Sequence, residues 1–311
     1  MTKSSKFIVL LSVIIVSGFL IRARQVPSNQ TTKSQSTVNS VEKNVAENYE
    51  IKALKIPTYL EFAGERVPLE DQDVYKRMDR ELTVNTYWQS NALFYIKRAN
   101  EFFPIIERIL AENGVPDDFK YLALIESGLL NATSSAGAKG FWQILKGTGR
   151  EYGLEINTNI DERYHLEKST QVACNYLNKA YKKFNSWTLA AASYNAGRAG
   201  IIRRLDKQKA ASFYDLLLGE ETSRYVFRII AAKEILTNPK KYGFVFDQED
   251  LYFSKPTYTV KVDTVITNIA NFAQRYGLSY KGFKILNPWL RENKLNNASR
   301  KVYEIKLPAY E

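Results

Sequence analysis

The sequence predicts a mainly α-helical domain followed by a small β-α-α-β module, and three observations carry that prediction. Between residues 93 and 236 apolar residues recur at three- and four-residue spacing, as on helix faces that look into a core. No period-two alternation of any length interrupts them. After Pro256 the pattern changes to two short β-type runs, 258–262 and 302–307, enclosing two short helical stretches.

The chain opens with a basic start, Lys3 and Lys6, followed by an uncharged run over residues 7–21. This suits a signal-peptide core and is shorter than the ~20 residues of a bilayer span. Arg22 and Arg24 behind it resemble the flank of an anchor. Residues 1–24 therefore predict a cleaved signal peptide or a retained N-terminal membrane anchor, and the remainder is expected to be exported to the periplasm or cell envelope. Residues 25–50 follow as a flexible linker; the part 25–48 lacks aromatic residues and is dominated by Ser, Thr, Asn, Gln and Lys.

Residues 51–250 are expected to form the main domain, entered through an irregular lead-in punctuated by Pro57, Gly64 and Pro68. Leu93, Phe94, Ile96, Ile105, Ile106, Ile109 and Leu110 mark the first helical region, with an interruption near Pro104. Asn113-Gly114-Val115-Pro116 reads as a stop and turn, and Asp117 and Asp118 as caps for a helix over 119–127. Further helices are predicted over 161–185, over 187–194 with Asn195-Ala196-Gly197 as its end, and over 220–236 before Pro239. In the module, 257–308, Ile266, Ile269, Ala270 and Ala273 form one helix face, and a second helix runs toward Leu286-Asn287-Pro288.

Composition excludes much chemistry. Cys174 is the single cysteine and His165 the single histidine, so a disulfide and a His/Cys zinc cluster cannot be built. A His-based triad or Cys–His dyad would have to use these two residues alone. Cys174 lies on an apolar helical stripe and is expected in the core; His165 is expected at the surface or at a cap. No cofactor and no metal are predicted. The net charge of +11 suits an anionic partner, whether nucleic acid, anionic lipid or acidic wall polymer. Over 258–311 nine Lys/Arg stand against four Asp/Glu, so much of that excess lies in the module.

The chemistry concentrates in residues 123–145. Glu126 closes a helix whose preceding residues, Tyr121 to Ile125, are apolar on every face, so its carboxylate is expected to be desolvated and its pKa raised, as a general acid requires. Ser127 can hydrogen-bond beside it, and residues 132–140 are small enough for backbone to approach a ligand. Trp142 offers a flat apolar face, and Gln143 the paired donor and acceptor that sugar hydroxyls need. Ser193-Tyr194-Asn195-Ala196-Gly197 repeats this recipe at another helix end. No second acid lies near either motif in the sequence, the nearest after Glu126 being Glu151.

Glu126-Ser127, Gly140-Phe141-Trp142-Gln143, Tyr194-Asn195-Ala196-Gly197 and Glu221-Thr222 with Tyr225-Val226, in this order and spacing, resemble the lytic transglycosylases with the goose-type lysozyme fold. Phe62-Ala63-Gly64-Glu65 and Tyr87-Trp88 are similar to the membrane-bound murein transglycosylase D group within them. Tyr258-x-Val260, Asp263-Thr264, Asn287-Pro288 and Leu307-Pro308 resemble a LysM module. The chain departs from these patterns in Ile144-Leu145-Lys146, where Met-Pro is frequent, and in Val262, where Gly commonly precedes Asp-Thr.

The resemblance implies a lysozyme-like, mainly α fold that cleaves the β-1,4 bond between N-acetylmuramic acid and N-acetylglucosamine in peptidoglycan glycan strands. It implies Glu126 as acid and then base, drawing the proton from the muramyl C6 hydroxyl as that oxygen attacks C1 and leaves a 1,6-anhydro end. By the same analogy Ser127, Gln143, Tyr194, Asn195 and Tyr225 hold the sugar or steer the acid, with Tyr194, Asn195 and Tyr225 forming the wall that faces Glu126. The alternatives are a hydrolysing muramidase and a non-catalytic wall-binding protein. Nucleic acid is disfavoured by the export segment and by the lack of a binding signature.

Overall fold

The computed structural model describes residues 51–309, so the expectations for 1–24 and for 25–50 lie outside the described residues. The lead-in is less irregular than its Pro and Gly content suggests. Strand β1 (Glu61–Phe62) turns through Ala63 and Gly64 into β2 (Glu65–Arg66), with φ of 53° and 80° at the turn residues, as a tight two-residue hairpin requires. Helix α1 (Gln72–Tyr87) follows, capped by Asp71, whose side chain accepts from the Asp73 and Val74 N–H groups at 2.7 and 3.1 Å.

Helix α2 (Gln89–Glu112) runs unbroken through Pro104, against the expected interruption. An interior proline costs about 3 kcal/mol. Ile96, Ala99 and Phe103 before it and Ile106, Ile109 and Leu110 after it are all buried on one face, and a large apolar side chain contributes about 1.5–3 kcal/mol when buried. Tertiary packing thus outweighs the local defect. The chain continues through α3 (Phe119–Ser127), α4 (Lys146–Glu151), a 3₁₀ turn (Glu162–Tyr164), α5 (Leu166–Phe184), α6 (Trp187–Ala196), α7 (Arg198–Gln208) and α8 (Glu220–Thr237). The helix predicted over 161–185 therefore starts later, at Leu166. Helix α8 is the hub. It packs on α1, α3 and α6 and buries Tyr225, Val226, Phe227, Ile229, Ile230 and Ile235.

Asp117 and Asp118 do not cap α3. Asp118 has helical backbone (φ −55°, ψ −22°) and makes no cap bond. Its Oδ2 instead accepts from the Ala63 N–H at 2.6 Å and from Lys233 Nζ at 2.7 Å, which ties the hairpin to α3 and α8. Asp117 pairs with Lys120. Phe62, fully buried, meets Phe119 edge to face at 5.1 Å. Glu65 spans to α6, accepting from Ser186 Oγ at 2.8 Å and from the N–H groups of Trp187 and Thr188. A carboxylate there satisfies N–H groups that the helix cannot bond itself and complements its positive end. Glu65→Ala is expected to cost about 2 kcal/mol of stability, since charged hydrogen bonds contribute roughly 1.5–3 kcal/mol. Urea unfolding measures it, and an unchanged midpoint would show that the carboxylate is merely parked.

In the module β3 (Thr257–Val262) pairs antiparallel with β4 (Tyr303–Pro308), Val260 opposite Ile305, and α9 (Ile269–Gln274) and α10 (Tyr280–Leu286) lie between them in sequence. Its core of Ile269, Ala273, Phe283, Leu295, Ile305 and Leu307 also takes in Ile160 and Tyr164 from the main domain. The strap over residues 155–165 is hydrogen-bonded to the module. Asp161 N–H donates to the Trp289 carbonyl at 2.9 Å, and Arg291 N–H to that of Asn159 at 2.8 Å. The Asn159 side chain donates to the Lys294 carbonyl at 2.6 Å and accepts from Asn296 N–H at 2.9 Å. Among the described residues no helix is long and apolar enough to cross a membrane.

Candidate active site

Glu126 is the next-to-last residue of α3, whose preceding residues Tyr121 to Ile125 are all buried. Gly128 ends the helix in the left-handed region (φ 63°) and returns its N–H to the Leu124 carbonyl at 2.8 Å. The chain then turns into the loop over 129–145. That loop is pinned from several sides. Ser127 Oγ donates to the Phe141 carbonyl at 2.8 Å, Tyr194 Oη to that of Trp142 at 2.8 Å, and Arg163 Nη1 to that of Gly137 at 3.0 Å. Gln143, itself at φ 45°, donates through Nε2 to the Gly140 and Ala132 carbonyls at 2.9 and 3.2 Å.

Trp142 departs from expectation. Its ring is fully buried and its Nε1 donates to Thr170 Oγ1 at 2.8 Å, so it anchors the loop in the core and presents no face to a ligand. The aromatic identity was legible; its direction depends on the left-handed turns at Gly140 and Gln143.

Burial raises the Glu126 pKa, and this outweighs the Tyr225 hydroxyl and the Arg228 guanidinium, which pull it back; the charge of Glu221 adds to the rise. The carboxyl is thereby a ready proton donor. Tyr225 Oη donates directly to Glu126 Oε1. Tyr225 and Tyr194 are both held as neutral phenols, their pKa values driven well above 10 by burial and then by the Glu126 charge. Arg228 donates to the Ile125 carbonyl at 3.2 Å, beside the acid.

Of the three residues predicted to face Glu126, Tyr225 makes the contact. Tyr194 reaches the Trp142 carbonyl and lies within electrostatic range of the acid. Asn195 instead bridges to α8, donating to Glu221 Oε1 at 3.0 Å and accepting from Thr222 Oγ1 at 2.7 Å. Ser127 and the amide nitrogen of Gln143 serve loop carbonyls. No second acid lies near Glu126 in the sequence, but the fold brings in Glu221, exposed at the start of α8, whose charge raises the Glu126 pKa. Arg228 was missed too, although it stands three residues after Tyr225 on one helix, a spacing that shares a face. Cys174 is buried as predicted, its thiol pushed up to about 12 by burial. His165 occupies the N-cap position of α5 without a side-chain cap bond. Among the described residues no group of three or more His, Cys, Asp or Glu could hold a metal.

Tyr225→Phe tests the geometry. The hydroxyl favours the ionised carboxylate, so its loss raises the Glu126 pKa further. A general acid must be protonated, and activity falls as pH rises through its pKa. The alkaline limb of the kcat–pH profile is therefore expected to move to higher pH, with kcat reduced about tenfold. A limb that stays in place would separate Tyr225 from the acid's titration.

Residues 103–217 match the Transglycosylase SLT domain family, and residues 258–311 the soluble lytic transglycosylase C-terminal LysM-like domain. Two relatives, the membrane-bound lytic murein transglycosylase D proteins of Escherichia coli K12 and of Escherichia coli O6:H1, are each 31% identical over 204 residues. These alignments span 64% of this chain and 44% of each relative, so the chain spans less than half the length of the curated relatives it matches. A solved structure of an inactive mutant of the lytic transglycosylase Slt from Pseudomonas aeruginosa aligns at 21% identity with a TM-score of 0.38, over 49% of this chain and 26% of that one.

Proposed function

From a transglycosylase SLT domain joined to a LysM-like domain, we propose that this protein is a peptidoglycan lytic transglycosylase of the cell envelope, with Glu126 as its single acid/base. The observation that carries the reading is one carboxyl, half-buried, raised in pKa and bonded to a neutral Tyr225 hydroxyl. Glu126 protonates the glycosidic oxygen between N-acetylmuramic acid and N-acetylglucosamine. Now a carboxylate, it removes the proton of the muramyl C6 hydroxyl as that oxygen closes on C1. The bond broken is C1–O4 and the bond formed is C1–O6, so the product ends in a 1,6-anhydro sugar with no water added. The substrate provides the nucleophile that most glycosidases take from a second carboxylate or from water. Tyr194, Asn195, Ser127 and Gln143 shape the cleft, Tyr225 orients the acid, and the LysM-like module holds the enzyme on the wall polymer. Residues 1–24 deliver the chain to the envelope, as signal peptide or anchor.

One observation favours a second reading, a hydrolysing muramidase: Glu221 is a second carboxylate within electrostatic reach of Glu126. Glu221 is exposed at the start of α8 and accepts from Asn195 through Oε1. Mass spectrometry of digested peptidoglycan decides. Anhydromuramyl ends are expected, and reducing ends alone would overturn the transglycosylase reading.

A further inference from the structure

A cavity of about 600 Å³ lies between α2, the start of α5, the linker before β3 and the module, and Glu126 does not line it. Its walls are amphoteric. Lys306 of β4 pairs with Glu167 of α5, so those two charges cancel within the wall. Four others are left over: the exposed Lys255, Arg98 of α2, which donates to the Gly128 carbonyl at 2.5 Å, and Glu101 and Lys284. Glu101 on α2 pairs with no cation among the described residues, and burial raises its carboxyl. Lys284 on α10 pairs with no carboxylate among the described residues, donating instead to the Leu290 and Glu292 carbonyls. Burial and the neighbouring Arg291 hold its ammonium down at about 8. Half-buried charges without counter-ions are costly, and a ligand bringing both opposite charges recovers that cost. Between them the wall is apolar, with Phe102 of α2 packed edge-on against Phe141 at 4.9 Å and Ile285 of α10 exposed to 66%.

We propose that this cavity binds a short peptide carrying a free amine and a free carboxylate, the amine at Glu101, the carboxylate at Lys284 and the apolar side chains on Phe102 and Ile285. The site does not include Glu126, although Leu129, Leu130, Asn131 and Phe141 of the loop that follows it line one wall, and it is built from the main domain and the module together. The choice of probe rests on the proposed substrate, because peptidoglycan strands bear short peptides with this pairing of groups. A free peptide is not cleaved, so its binding is read independently of Glu126 chemistry and of the anhydro-product assay.

The test is isothermal titration of the full chain with the tripeptide L-Ala-γ-D-Glu-meso-diaminopimelate. The same peptide with its amines acetylated and its carboxylates amidated is the control, and the N-acetylglucosamine trimer the glycan control. Binding of the free tripeptide is expected, weakened about tenfold by Glu101→Gln and about tenfold by Lys284→Met, the scale of one charged contact. Glu101→Gln is isosteric and relieves a half-buried carboxyl, so it keeps the test valid where Lys284→Met disturbs the carbonyls it holds. The glycan trimer should not displace the peptide. Absence of binding up to millimolar peptide, equal binding of the charge-blocked peptide, or an affinity indifferent to Glu101→Gln would each overturn the proposal.

Discussion

Glu126→Gln is expected to lower kcat on peptidoglycan about 10³-fold, within the roughly 10²–10⁴-fold that a positioned general acid contributes. The amide is isosteric and still accepts the Tyr225 hydroxyl, so the architecture of the cleft is retained. What it cannot do is give up a proton to the leaving oxygen or take one from the C6 hydroxyl. A 10³-fold loss corresponds to about 4 kcal/mol of transition-state stabilisation. Stability should move the other way. Burial makes the carboxyl titrate higher in the folded state than a free glutamate does, so its ionisation at neutral pH opposes folding. A neutral amide removes that penalty, and the melting temperature should hold or rise while activity collapses. Turnover of labelled peptidoglycan beside thermal melting reads both. Retained turnover would take the acid/base role away from Glu126, whereas a lower melting temperature would mean that the activity loss reports unfolding.

Gly140→Ala is expected to cost about 3 kcal/mol or more of stability and to abolish activity together with it. Gly140 sits at φ +78°, where a side chain alone costs about 1–2 kcal/mol. A Cβ there would also lie 2.0 Å from the Arg163 carbonyl oxygen, which is backbone and cannot swing aside. The loop would have to leave the strap, withdrawing the Phe141, Trp142 and Gln143 contacts that shape the ground beside Glu126. Gly137→Ala is the internal control. It has the same φ of +78° but nothing within 4 Å of its added Cβ, so it isolates the backbone cost. Urea unfolding of the pair measures the difference, and equal losses would show that the contact with Arg163 carries nothing.

The helical class, the βααβ module and the desolvation of Glu126 were legible because each is set locally, by apolar spacing or by a short run of neighbours. The burial of Cys174 followed from the same periodicity. What was not legible depends on direction or on distant partners. Trp142 was read as a stacking face because sequence gives the ring and not the turn that points it inward. Asp118 has good cap chemistry, but Ala63 and Lys233, far away in the chain, claim it. Glu221 approaches Glu126 only because α8 threads through the centre of the domain, and Pro104 sits in an unbroken helix because both sides of it are buried.

The strap over 155–165 also bears on how the molecule comes apart. Ile156 belongs to the core of the main domain, and Ile160 and Tyr164, a few residues on, belong to the core of the module. A segment shared between two cores makes the loss of either expose surface in both. Two domains on a loose tether would absorb heat in two steps. Here residues 53–311 should show one cooperative transition, with calorimetric and van't Hoff enthalpies in agreement.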